Sequence, residues 1–240
     1  MAIAKTLPTR TADGSAIVLP SRTGSYGEAY ILPMGAKQNM FADEGSYFTT
    51  YNVTDGTGIA GHAATVQADL STKPLLHLYN ASATKSATLD FIRIRMTAIG
   101  AGASTTDVTL WVDNNSASSK TSGGTVGTVV NVNPGISNAA SSVVTFGAVV
   151  GAVGTGEVRI DHQRVRSVVP VVEDQYVFQF GAAGYGMPAA MALSGTAIVS
   201  AYVHCPPVVV PPGGNFKLVM WGASQSGAHS AEYTIGFWER

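Results

Sequence analysis

The sequence predicts an all-β fold, an antiparallel β-sandwich of jelly-roll-like type, on three observations. Apolar side chains recur at every second position in many short segments. Gly, Pro, Asn and Asp cluster between those segments, where turns need positive or fixed φ. No stretch of ten or more residues carries a convincing 3.6-residue period, and strands do not alternate with helices. That pattern disfavours Rossmann-like and TIM folds. At 240 residues the chain suits one large all-β domain able to bury its own core without metal or disulfide.

Residues 1–27 stand apart. They carry Lys5, Arg10 and Arg22 against one acid, Asp13, with Thr, Ser, Gly and Pro filling the gaps. They read as an extended N-terminal arm. Either the arm lies across a neighbouring subunit or it is an unstructured tail. Residues 28–240 read as one sandwich domain. Ile92, Ile94 and Met96 alternate with Arg93 and Arg95, and Val108, Leu110 and Val112 with Thr109 and Trp111. Tyr176, Phe178 and Phe180 alternate with Val177 and Gln179; Phe216, Leu218 and Met220 with Lys217 and Trp221; and Tyr233, Ile235 and Phe237 with Thr234 and Trp238. Residues i and i+2 share a sheet face, so each run is a half-buried strand. Leu75–Tyr79 and Ala197–Val203 lack clean alternation and read as strands buried on both faces. Turns are expected at Gly56–Gly58, Asp113–Ser116, Ser122–Gly124, Asn133–Gly135, Gly151–Gly156 and Pro211–Gly214. A short helix is expected over Pro188–Leu193.

Composition narrows the function. Charged residues are 12% of the chain, the net charge is −1 and the pI is about 6.5. These values argue against a nucleic-acid partner bound by bulk charge. No apolar run reaches membrane-helix length and no secretory leader is evident, so the expectation is a protein made in the cytosol, without a membrane partner. A surface with so little charge is poorly protected against association. Partner subunits covering it would explain that; a Ser/Thr-rich surface would too.

The chemistry-bearing residues form no catalytic signature. The five histidines show no metal-ligand spacing. Cys205 follows His204 on a strand, so the two point to opposite faces, and Cys205 reads as a small buried hydrophobe. Gly222–Ser226 lacks the closing Gly of a nucleophile elbow. Gly184–Ala189 matches GxGxxA, but no acid follows at dinucleotide-binding distance. Asp43–Glu44 and Glu173–Asp174 are adjacent acids that splay apart, and Asp113–Asn115 reads as a hairpin turn. The reading is non-enzymatic, with no cofactor, metal or catalytic residue. Trp111, Trp221 and Trp238 fall on strand positions opposite the apolar set. Exposed in a row they would suit a subunit interface or stacking on a surface glycan; alternatively both sheet faces are partly buried.

Several phrases carry a resemblance: Thr23–Ala29 containing Tyr26, Phe41–Phe48, Gly58–Ala60, Val210–Gly214, Trp221 with Ser224–Ser226, and Gly236–Arg240. Across most of residues 22–240 the chain resembles β-sandwich structural proteins encoded in the virion modules of tailed bacteriophages. The resemblance implies a virion component, made in the host cytoplasm, that forms homo-oligomers, often trimers. It would bind the major capsid protein or other virion proteins as a capsid decoration (cement) or head-associated subunit. Lys5, Arg10, Arg22 and Tyr26 would then be the arm's subunit contacts. The alternative in a different class is a tail-associated receptor- or glycan-binding module that uses the three tryptophans.

Overall fold

The structure, a computed structural model, describes residues 9–10, 16–17, 37–62, 72–114, 120–181 and 198–240. The chain divides into two units, Met1–Met40 and Phe41–Arg240. In the first unit, β1 (Thr9–Arg10) pairs antiparallel with β2 (Ala16–Ile17). A seven-residue helix, α1 (Lys37–Asp43), follows; the sequence reading did not anticipate it, because two turns are too short to establish a period.

The remaining strands are β3 (Tyr47–Tyr51), β4 (Ile59–Ala60), β5 (Leu76–Asn80), β6 (Ala87–Ala98), β7 (Thr106–Asp113), β8 (Ser122–Val126), β9 (Val129–Asn131), β10 (Ser142–Val150), β11 (Val158–Arg166), β12 (Gln175–Phe180), β13 (Ser200–Cys205), β14 (Val209–Val210), β15 (Asn215–Trp221) and β16 (Ser230–Glu239). They form two packed sheets. One is six-stranded in the order β11-β7-β15-β5-β10-β8. The other is eight-stranded in the order β13-β12-β6-β16-β3-β9, with β14 on β6 and β4 on β16. All described pairings are antiparallel except β12 with β13. Successive strands repeatedly change sheet, so each hydrophobic face closes on segments distant in sequence.

The alternation read from the sequence explains the core. Ile92, Ile94 and Met96 of β6, Tyr176 and Phe178 of β12, and Tyr233 and Ile235 of β16 are fully buried. They meet Leu76, Leu78, Phe146, Phe216 and Leu218 of the six-stranded sheet in one cluster. Aromatic pairs cross between the sheets. Phe146 stacks on Tyr233 with centroids 5.2 Å apart, and Phe180 meets Phe216 edge-on at 5.8 Å.

The six-stranded sheet is also covered on its outer face. Phe216 and Leu218 point inward, so Lys217 between them points outward, yet its side chain is only 1% exposed. The cover comes from residues 151–157, which link β10 to β11. Those strands lie four positions apart in the sheet, about 19 Å at ordinary strand spacing. The Lys217 ammonium donates to the Ala152 carbonyl at 2.8 Å and to Glu157 Oε2 at 3.0 Å. One buried ion pair thus pins the crossing chain to the middle strand.

Two predicted elements differ. Ser122–Gly124, expected as a turn, is the start of edge strand β8. Gly123 and Gly124 do have positive φ (74° and 72°), but within an irregular ladder to β10, where the chain keeps pairing across a register shift. Ala197–Val203, expected to be buried on both faces, becomes β13, whose described residues alternate exposed and buried. The strand lies at a sheet edge, so Ser200 and Tyr202 face out while Ala201 and Val203 enter the core. Leu75–Tyr79 does contribute buried residues on both faces, with Leu76 and Leu78 on one and His77 on the other. The expected helix Pro188–Leu193, the GxGxxA phrase and residues 115–116 of one expected turn lie outside the described residues.

A second buried pair sets the chain's path between β11, β12 and β13. Arg166 Nη1 donates to Asp174 Oδ1 at 2.8 Å, both side chains being 0% exposed. Arg166 Nε donates to the Val169 carbonyl, and Asp174 also accepts from the backbone N–H groups of Val171 and Val199. Asp174→Ala strands a guanidinium in the core, and breaking such a pair costs about 3–5 kcal/mol. Urea unfolding should show a loss of that order, and a loss below about 1 kcal/mol would rule out the pin.

Two buried histidines set a pH limit. Burial, reinforced by the Lys217 ammonium, lowers His77 to about 4. Burial alone lowers His229 to about 4, and its Nδ1 accepts the Gly100 N–H at 3.0 Å. In the unfolded chain both titrate near 6.5. Between pH 6.5 and 4 the unfolded state therefore binds more protons, and stability present above pH 6.5 falls as pH drops through 4. The shift corresponds to about 3 kcal/mol per histidine. His229→Asn keeps an acceptor for Gly100 without the titration, so its unfolding free energy should fall less steeply with acid; an unchanged slope would contradict this account.

Candidate functional site

A cleft lined largely by polar groups lies on the outer face of the eight-stranded sheet. It is built by the β6–β16 ladder, which sets Thr234 opposite Arg93 and Glu232 opposite Arg95. Their neighbours Ile92, Ile94, Tyr233 and Ile235 face the core, so the four polar side chains must face out. β3 adds Tyr51 opposite Thr234, and β12 adds Gln175 opposite Arg95. The segment after β3 forms a wall. Asn52 Oδ1 accepts the Tyr233 N–H at 2.8 Å, and its Nδ2 donates to the Thr57 carbonyl. Gly56 N donates to Glu232 Oε1 at 2.5 Å. The open cleft so enclosed has a volume of about 520 Å³.

Its charges are arranged in two ways. Arg95 is committed: it contacts Glu232 Oε2 at 2.6 Å and Glu173 Oε2 at 3.2 Å. The hydrogen bond that Arg95 donates to Glu232, then the two carboxylate charges, push the Arg95 guanidinium pKa further up. Arg93 is largely uncommitted. Its Nη2 donates to Thr234 Oγ1 at 3.1 Å, and among the described residues no acid pairs with it. Asp55 and Gln175 line the same cleft, and among the described residues no side-chain partner holds either.

A second surface feature sits on the six-stranded sheet at its β8 edge. Val126 of β8 and Val143 and Val150 of β10 are 54%, 40% and 40% exposed. Val126 pairs in register with Thr145, on the face Val143 shares, and β8 is exposed along its whole length.

The residues singled out from the sequence are dispersed. Lys5, Arg22 and Tyr26 lie outside the described residues; Arg10 belongs to β1, with its side chain outside them. Trp111 and Trp221 lie on the six-stranded sheet and Trp238 on the eight-stranded one, so no single row contains all three. Trp221 is 6% exposed and stacks on His162, with centroids 6.2 Å apart. Trp111, half-buried, belongs to the strand beside the covered centre of the same sheet. Trp238 is half-buried and stacks on Phe41 at 4.9 Å. Cys205 is buried, which pushes its thiol pKa well up. The adjacent acids have structural duties: Asp174 holds Arg166, Glu173 meets Arg95, and Glu44 meets Arg240 at 2.5 Å. Asp161 accepts from the His162 backbone and from Gln163.

Sequence reasoning missed the cleft. The one trace was the pair Arg93/Arg95, alternating with the apolar Ile92, Ile94 and Met96. Nothing in the sequence joins it to Tyr51, Asp55 or Gln175. Comparisons with protein-family models, curated proteins and solved structures find no match to this chain.

Proposed function

We propose that this chain is a non-enzymatic structural subunit of a tailed-phage virion, a capsid decoration or head-associated protein that assembles as a homo-oligomer. A trimer is the state favoured by the sequence resemblance. The observation that carries the assembly reading is the valine surface at the β8 edge. Val126, Val143 and Val150 lie on a face whose centre is covered by residues 151–157, and at the β8 edge of that face they stay exposed. Each valine is about half exposed, so burying the remainder against a second copy contributes about 1–2 kcal/mol. The chain's 12% charged residues keep the desolvation cost of such a contact low. Main-chain groups along the open side of β8 add edge-to-edge pairing. The sandwich supplies the rigid body, and the arm, through Lys5, Arg10, Arg22 and Tyr26, reaches the neighbouring subunit or the major capsid protein.

Mass spectrometry of purified particles of the encoding phage should find the chain at stoichiometric level, and its absence would end the virion reading. In sedimentation the intact chain should be oligomeric at micromolar concentration. Val126→Asp with Val143→Asp should convert it to monomer without lowering its melting temperature, since both positions are on the surface. A monomeric parent, or an oligomer indifferent to both aspartates, would refute the valine interface.

The arm makes a separate claim. Deleting residues 2–26 should weaken assembly by about tenfold or more, equivalent to at least one charge-assisted contact, while the circular dichroism of the sandwich stays unchanged. Equal assembly of the truncated chain would remove the arm from the mechanism.

A further inference from the structure

We infer that the cleft on the outer face of the eight-stranded sheet binds an uncharged oligosaccharide laid across the strands. This site is independent of the valine edge, which belongs to the other sheet.

The first argument is the kind of groups left free. Arg93 offers guanidinium N–H donors, Asp55 a carboxylate acceptor, and Gln175 an amide that both donates and accepts. Thr234 and Tyr51 add hydroxyls. Among the described residues, the Asp55 and Gln175 side chains have no hydrogen-bond partner, and Arg93 has one, Thr234. Planar groups with paired donors or acceptors match vicinal hydroxyls, each of which donates and accepts. A carboxylate and a guanidinium on one cleft satisfy both roles at once.

Charge selects among ligands. The lining contains two cations, Arg93 and Arg95, and two anions, Asp55 and Glu232, so its formal charge is zero. Arg95 is shared by Glu232 and Glu173, so it offers no free charge to an anionic ligand. An anionic ligand attracted by Arg93 meets Asp55, and a cationic one attracted by Asp55 meets Arg93. A neutral polyhydroxyl ligand meets no such conflict.

Extent selects length. Tyr51, Thr234, Arg93, Val177 and Tyr202 are register partners on five adjacent strands, so they form one row across the sheet. Its two ends are tyrosines, 52% and 58% exposed. Four strand spacings separate them, about 19 Å. That exceeds one sugar ring and suits several linked residues. Each exposed ring offers an apolar face for the C–H face of a sugar and a hydroxyl at its tip.

The test uses the full chain and a panel of neutral mono- to hexasaccharides built from hexoses and N-acetylhexosamines, beside uronic- and sialic-acid oligosaccharides, on an array and then by calorimetry. Binding of a neutral series is expected, with affinity rising with chain length. Arg93→Ala and Asp55→Ala should each weaken binding about tenfold or more, the loss expected for a hydrogen bond to a charged group. Tyr51→Ala should weaken it and Tyr51→Phe restore it. Tyr202→Ala should affect the longer ligands and spare the shorter. All these positions are on the surface, and unchanged melting of each variant checks the fold. No binding to any neutral member, binding confined to the acidic oligosaccharides, or neutral binding indifferent to both Arg93→Ala and Asp55→Ala would each overturn the inference.

Discussion

The antiparallel ladder between β6 and β16 is the constraint on which the rest of the sandwich depends. It runs from Ser230 against Ala98 to Glu239 against Ala87. On its inner side it lines up Ile92, Ile94, Tyr233 and Ile235, the floor of the core. On its outer side the same pairing lines up Arg93, Arg95, Glu232 and Thr234. Core and cleft are therefore two faces of one register, and a slip by one residue would exchange them. An irregularity near Asp90 adds a residue to β6, so Leu89 still enters the core while the Asp90 carboxylate accepts the Tyr47 hydroxyl at 2.6 Å. At the far end, the buried Glu239 carboxylate accepts the N–H groups of Ser141 and Ser142 and so fastens the ladder to the first residue of β10 in the opposite sheet.

The two sheets treat their outer faces differently, and this divides the labour of the surface. The six-stranded sheet is roofed over its centre by the link between β10 and β11, held by Lys217 and Glu157. That roof explains why Lys217 is buried, while Asp107 and Thr109 are held by Arg164, Thr105 and His162. A buried ion pair is a poor source of net stability, but losing one partner is costly, so the pair specifies the crossing more than it strengthens the fold. The eight-stranded sheet leaves its central outer row open from Tyr51 to Tyr202. One sheet thus leaves an apolar edge exposed, the other a polar face.

Gly147 shows how local backbone freedom serves this layout. Its φ is +86°, and an added Cβ would lie 2.5 Å from Ile59 Cγ2 and 2.7 Å from the Ala60 carbonyl. It sits at the register shift where β10 passes from Phe146 to Val149. The glycine lets a strand stay paired while its ladder changes register.

The sequence by itself determined the class of fold, the principal strands and which of their residues go inward. Period two is a local property, and Ile92, Ile94, Met96, Tyr233 and Ile235 reveal it without any knowledge of partners. It also determined the low charge of the chain and the two arginines that alternate with apolar residues on one strand. Only the tertiary structure decided what those arginines face. Tyr51, Arg93, Gln175 and Glu232 come from four strands far apart in the chain, and pairing order has no local signature. Tertiary structure likewise decided that Trp221 is buried while Tyr202 is exposed, because Trp221 lies on an interior strand and stacks on His162, whereas Tyr202 lies on edge strand β13. It also made Ser122–Gly124 a strand, since edge pairing with β10 overrode the turn preference of two glycines.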